Sequence, residues 1–213
     1  MDGSNTSDTS GSVRPSDIGT DGEPLPGESI VESAVSNATA ATPAVANARL
    51  NGTDRAERPD RIASILVAVG SGPHSGATVD LARQLADATD AWLELFHVVP
   101  SEAAVADGAT ATNEADGAGG TDDYAESGEA LLSAARDRLG DFDRVDTWLV
   151  EGRTAADAIV EQSPYYDLVV VGAPTTGTVG RFVFGSTSDT VVDDAEVPVV
   201  VVDAAGTTSI RDE

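Results

Sequence analysis

Between residues 62 and 202 the chain alternates aliphatic runs with stretches of helical spacing. Ile62 to Val69 is mostly aliphatic and stops at Gly70-Ser71-Gly72-Pro73, which predicts a buried strand and then a turn. From Ser75 to Thr89 the residues Val79, Leu81, Ala82, Leu85 and Ala86 recur at helical spacing. Trp92 to Val99 reads as a second strand, closed by Pro100. Residues 101–121 are mainly Ala, Gly, Asp and Thr, the composition of a long loop. Residues 122–139 carry Ala130, Leu131, Ala134, Ala135 and Leu139 on one helical face. Val145 to Val150 predicts a third strand, and Thr154 is placed to cap a short helix running to Gln162. Leu168 to Val171 is a fourth strand. A helix from Ser186 to Asp194 then leads into a fifth, Val197 to Val202.

Strands that alternate with helices imply right-handed βαβ crossovers and a parallel sheet. The expected fold is a doubly wound, five-stranded parallel α/β sandwich. Strands one, four and five are aliphatic throughout, as befits strands covered on both faces. Ligands in such folds bind beyond the carboxyl ends of the strands, where the strand order reverses. That directs attention to the turns after Val69, Val99 and Val171.

The flanks read differently. Residues 1–60 are expected to be a mostly disordered acidic tail and linker, 61–204 the folded domain, and 205–213 a flexible C-terminal tail. Within the first part, residues 27–50 are less polar. Gly27 leads through Ala34-Val35 to Pro43-Ala44-Val45, as Gly185 leads through Val191-Val192 to Pro198-Val199-Val200. Both read as glycine, helix, proline, strand. Residues 27–50 are therefore also read as a relic of a tandem copy that supplies an edge strand in place of a second subunit.

Charge narrows the partners. The 213 residues carry 37 acidic and 12 basic side chains, a formal net charge of −25. All of the basic residues are arginine. Such a surface repels phosphate backbones and anionic lipid, so nucleic acid and direct membrane insertion are not expected. A folded chain of this charge is best tolerated in high salt, where the Debye length falls to about 3 Å at 1 M. A halophilic source is the expectation. The chain has no cysteine, which excludes disulfides and thiolate metal sites. It lacks an apolar run of membrane-spanning length, and Met1-Asp2-Gly3-Ser4-Asn5 lacks signal-peptide character, so the expected location is the cytoplasm.

Four stretches together resemble the universal stress protein family. They are Ile65–Val69, Leu95–Val99, Val150-Glu151-Gly152-Arg153 with Ala155, Ala158 and Ile159, and Val170-Val171-Gly172 followed by Gly185-Ser186-Thr187 and Val197–Val202. The resemblance spans residues 62–202. It implies strand order 3-2-1-4-5 and a Rossmann-like fold akin to the adenine-nucleotide α-hydrolases. It also implies ATP as the candidate ligand. ATP-binding members carry Gly-x2-Gly-x9-Gly followed by Ser or Thr, and an aspartate after the first strand. Here Gly172 and Gly185-Ser186 fit the outer positions, Thr175 stands at the middle glycine, and Gly70 stands at the aspartate. The candidate cofactor-binding set is Gly70, Ser71, Val98, Gly172, Thr175, Gly185, Ser186 and Thr187.

Losing the aspartate removes a charged hydrogen bond worth roughly 1.5–3 kcal/mol. Weakened or absent ATP binding is expected. No catalytic or metal-binding set emerges: His97 lies in an apolar run and reads as packed, His74 as a turn residue, and the two lack helical spacing. The favoured function is a non-catalytic regulatory or binding domain. Two alternatives stay open, an ATP-binding switch with slow hydrolysis and an accessory domain of a membrane transporter. The last strand, Val197–Val202, is expected at a sheet edge. The resemblance implies a homodimer through it, with a further protein partner unidentified.

Overall fold

The computed structural model describes residues 29–56, 60–101, 121–152, 154–174 and 185–210. The expected disorder of residues 1–26 and most of the loop at 101–121 lie outside them. The elements are α1 (Ile30–Ala41), β1 (Val45–Asn51), a 3-10 turn (Thr53–Arg55), β2 (Ser64–Ala68), α2 (Ser75–Thr89), β3 (Trp92–Pro100), α3 (Thr121–Arg138), β4 (Val145–Gly152), α4 (Ala155–Gln162), a second 3-10 turn (Ser163–Tyr165), β5 (Leu168–Gly172), α5 (Gly185–Asp194) and β6 (Val199–Ala204).

Six strands form one sheet in the order β1-β6-β5-β2-β3-β4. β1 runs antiparallel to β6, and every other neighbouring pair is parallel. The sheet is thus mixed, not the five-stranded all-parallel sheet expected from sequence. α1, α2 and α3 pack on one face against Ile65, Val67, Leu93, Leu95, Val200 and Val202. α4 and α5 cover Leu66, Phe96, Val169, Val171, Val199 and Val201 on the other. β2, β5 and β6 are buried from both sides, which is why their sequence shows no polar alternation.

The sixth strand comes from the region read as tail and linker. Ser29 opens α1 with a reciprocal cap: its hydroxyl accepts from the Glu32 N–H at 3.2 Å, and its own N–H donates to the Glu32 carboxylate at 3.0 Å. Val31, Ala34, Val35 and Ala38 then point to the core at helical spacing. Burying a valine side chain stabilises by about 1.5–3 kcal/mol, so this face alone holds α1 down. Pro43 follows the helix and β1 pairs with β6 from Val45↔Ala204 to Asn51↔Val199. Arg55 completes the attachment. Its guanidinium donates to the carbonyls of Val192 at 2.7 Å, Ala195 at 2.9 Å and Asp193 at 3.2 Å, capping the C-terminal end of α5.

β1 does take the position of an edge strand. A copy related by the two-fold axis that relates antiparallel neighbours would set its helix on the face of α5. α1 lies on the opposite face, against α2. β6 is bordered by β5 and β1, so a homodimer through residues 197–202 requires β1 to leave. The C-terminal segment also departs from a flexible tail, since Ile210 is buried.

In the full chain, which has no other cysteine, Ala48→Cys with Val202→Cys places two thiols at opposed positions of β1 and β6. Oxidation is expected to give an internally cross-linked monomer on non-reducing gels. A covalent dimer would show that β6 takes its neighbour from another copy.

Candidate functional site

The strand order reverses at β2, with β3 on one side and β5 on the other. The β2–β3 ladder runs through Ala68↔Phe96, and one more bond follows, from the Val69 N–H to the Phe96 carbonyl at 2.9 Å. There it opens. The Val69 carbonyl, which the next rung would offer to Val98, is taken by the imidazole Nδ1 of His97 at 2.7 Å. A carbonyl only accepts, so Nδ1 carries the proton. Burial holds the His97 pKa below its ordinary 6.5, and the hydrogen bond to Val69 opposes this in part. His97 is therefore packed, as expected, and it also terminates the ladder.

That termination exposes polar backbone. Leu93 donates to the Arg144 carbonyl and Ser101 to that of Gly152, so odd-numbered residues of β3 face β4. Val98 is even-numbered. Its N–H and C=O face the side where β2 has already ended, and neither has a partner there among the described residues. Across the gap, a Cβ built on Gly70 or Gly72 meets nothing within 4 Å. Ser71 is exposed beside them. Gly70, Ser71 and Val98 thus come together around an open space at the switch point.

Gly172 has a different reason to be glycine. A Cβ there would stand 3.3 Å from both the Cβ of His74 and the hydroxyl of Thr78. The first turn of α2 presses directly on the end of β5, and only a residue without a side chain admits it at ordinary contact distance. His74 is held from a third side, where its Nδ1 accepts from the Ala204 N–H at 3.0 Å.

The N-terminus of α2 is occupied by the chain itself. The Gly76 N–H donates to the Thr208 carbonyl at 2.7 Å and the Ala77 N–H to the Thr208 hydroxyl at 3.0 Å. Thr208 returns its own N–H to the Pro73 carbonyl at 2.7 Å, and Ile210 donates to the Ser75 hydroxyl at 2.9 Å. These donors are spent, so this helix end offers no cradle for an anion. Sequence reasoning missed Thr208 entirely. The signal was Ile210, an aliphatic residue in an otherwise polar tail.

On the presumed phosphate side, Thr175 lies outside the described residues. Gly185 and Ser186 open α5, and Thr187 is half-buried in its first turn. Ser188 follows, buried, and its hydroxyl lacks a hydrogen-bond partner among the described residues. Such a group is what a water or ligand would satisfy. Among the described residues, no cluster of three or more His, Asp or Glu is placed to hold a metal. None of their helices is long and apolar enough to cross a membrane.

The sequence profile of the universal stress protein family matches residues 62–203. The chain belongs to the universal stress protein family. A comparison with curated proteins gave no match. Among solved structures, the universal stress protein UspA from Lactobacillus plantarum is 25% identical over 67% of this chain and 99% of its own, with a TM-score of 0.50. A universal stress protein solved in complex with cAMP is 22% identical, covering 67% of this chain and 98% of that one, with a TM-score of 0.48. The universal stress protein from Archaeoglobus fulgidus in complex with dAMP is 19% identical, covering 66% of this chain and 98% of that one, with a TM-score of 0.48. The residues that the family profile matches leave α1 and β1 outside them.

His97 gives this domain a defined response to pH. Its folded-state pKa is depressed, so the stability it contributes is present above the unfolded value near 6.5 and is lost as pH falls toward the folded value. His97→Asn keeps a donor near the Val69 carbonyl and does not titrate. Urea unfolding at about pH 7.5 and about pH 5.5 is expected to show a larger loss in the natural chain than in the variant. Equal losses would mean that His97 is free to protonate in the folded protein.

Proposed function

We propose that this universal stress protein domain is a regulatory binding module that takes an adenine nucleotide by its base, weakly, and does no chemistry on it. One observation carries the reading: the β2–β3 ladder opens at Val98, opposite the space beside Gly70. A strand that presents an unpaired N–H and C=O side by side matches the donor and acceptor edge of adenine. Val69 and Val99, buried at the same strand ends, keep the surroundings of that gap apolar.

The weakness follows from two positions. Gly70 brings no carboxylate to a base or ribose, which removes a charged hydrogen bond worth roughly 1.5–3 kcal/mol. The net charge of −25 further disfavours a polyanionic ligand at low salt. Recognition is thereby shifted from the phosphates to the base. The same charge supports a salt-adapted protein, and the working buffer should match that, at about 1 M salt or above.

Titration calorimetry of the full chain in such a buffer tests this. Adenosine, AMP and ATP are expected to bind with dissociation constants within about tenfold of each other, in the range of roughly 10 μM to 1 mM. Gly70→Leu, whose Cβ meets nothing within 4 Å, puts a side chain into the open space and is expected to remove the binding of all three. ATP retained through purification, or bound far more tightly than adenosine, would favour a phosphate-reading ATP switch instead. Heat absent for every adenine compound would end the nucleotide reading.

A further inference from the structure

Both tryptophans of the chain lie on the β3–β4 side of the sheet, Trp148 opposite Phe96 and Trp92 at the start of β3. Trp92 starts β3 and Trp148 sits midway along β4, with side chains 44% and 38% exposed. Both project on the α4 and α5 face. α4 packs with Phe96, Val98 and Val150, so Trp148, opposite Phe96, borders the part of the face that α4 covers. Trp148 is fixed from below by Phe96, ring edge to ring face, with centroids 5.6 Å apart and planes at 76°. A rigid, half-exposed indole on an uncovered sheet face is uncommon in a chain with only 4% aromatic residues.

Two carboxylates lie between these rings. Glu94 and Asp146 are opposed in the β3–β4 register, directly between the two tryptophans. Glu94 is partly buried, and the Tyr166 hydroxyl donates to it at 3.1 Å. Burial first, and then the neighbouring Asp146, push its carboxyl pKa up, while the Tyr166 bond works against them. Glu151 lies further along β4 on the opposite face, with Val145 and Leu149. Among the described residues, no arginine forms an ion pair with Glu94, Asp146 or Glu151, although Arg49, Arg83, Arg138 and Arg144 each hold an aspartate elsewhere.

β4 is also the end strand of the sheet. Arg144 and Gly152 give their carbonyls to β3, so even-numbered residues of β4 face inward. Val145, Thr147, Leu149 and Glu151 therefore present their N–H and C=O groups outward, a template for one more strand. The charge decides which strand. A second copy of β4 would extend the same sheet face with its own Asp146, and like charges on neighbouring strands oppose pairing. A cationic strand meets complementary charge, and its arginine or lysine heads reach the indole faces, worth about 0.5–2 kcal/mol each.

We propose that the free edge of β4, flanked by Trp148, Trp92 and the Glu94–Asp146 pair, is a docking site for an extended, arginine- or lysine-bearing strand of a protein partner. The strand adds to the sheet by main-chain hydrogen bonds, and alternate basic side chains lie over the tryptophans. The docking edge is the outer side of β4, whereas the crevice lies on the β2 side of β3, so the inference stands whether or not a nucleotide binds.

The test uses the full chain and a blocked peptide of alternating arginine and valine, with a glutamate–valine peptide as control. Tryptophan emission reports on the patch alone, because the chain has no tryptophan outside it. A saturable emission change is expected with the basic peptide only. Slowed amide exchange is expected at Val145, Thr147, Leu149 and Glu151. Trp148→Ala, checked for unchanged far-UV signal, should weaken the peptide about tenfold, and Trp92→Ala provides the second variant. Exchange left unchanged at those amides would overturn the proposal and leave the carboxylates as guards against edge-to-edge aggregation. Equal binding of the acidic peptide would overturn it too. So would a protein-concentration-dependent emission shift without peptide, which would assign the edge to a second copy.

Discussion

The structure depends on three parallel strands whose side chains are aliphatic on both faces. β2, β5 and β6 contribute Leu66, Val67, Val169, Val170, Val199 and Val200, none of them exposed. Between the polar ends Ser64 and Asp203, nothing polar stands on these strands except their backbone, so the backbone groups there must find their partners in the ladder. The sheet centre is thereby closed to ligands. Polar backbone becomes available only where a ladder stops, and β2 stops before β3 does. The crevice at Gly70 and Val98 is the direct consequence of that difference in length, sharpened by His97 taking the Val69 carbonyl.

The same constraint explains β1. An all-valine strand left at the edge of a sheet is a template for association. Here the chain closes β6 with its own residues, then secures the closure with the buried face of α1 on one side of the sheet and the Arg55 cap on α5 at the other. The polar positions Asn47, Arg49 and Asn51 move to the new outer edge, where they suit solvent better than valine would. The two ends of the resulting sheet differ. The β1 end carries α1 folded against it, while the β4 end carries exposed tryptophan and unpaired carboxylate.

Much of this was legible in the residues, and the limits have physical causes. The five central strands could be read because aliphatic runs bounded by glycine and proline have few other uses. β1 was harder: Asn47, Arg49 and Asn51 interrupt its pattern, and its strand character depends on β6, about 150 residues away in sequence. Arg55 looked like linker because its role is a cap on a helix far along the chain. Thr208 was invisible for the same reason, as its partners Pro73, Gly76 and Ala77 lie at the other end of the domain. Gly172 stood out in the sequence as a position of the family's glycine motif, while its contact with α2 through His74 and Thr78 is visible only in the fold. The tryptophans, by contrast, were visible as residues and silent as a surface, since only the pairing of β3 with β4 brings them together.

The account therefore stands on a gap between strands. Amide-resolved hydrogen exchange at Val98, with and without AMP, addresses it most directly. The account predicts that in the free protein this amide exchanges about a hundredfold faster than that of Leu95 on the same strand, and that saturating AMP slows it. An amide at Val98 already as slow as Leu95 without ligand, or one that AMP leaves unchanged, would contradict it.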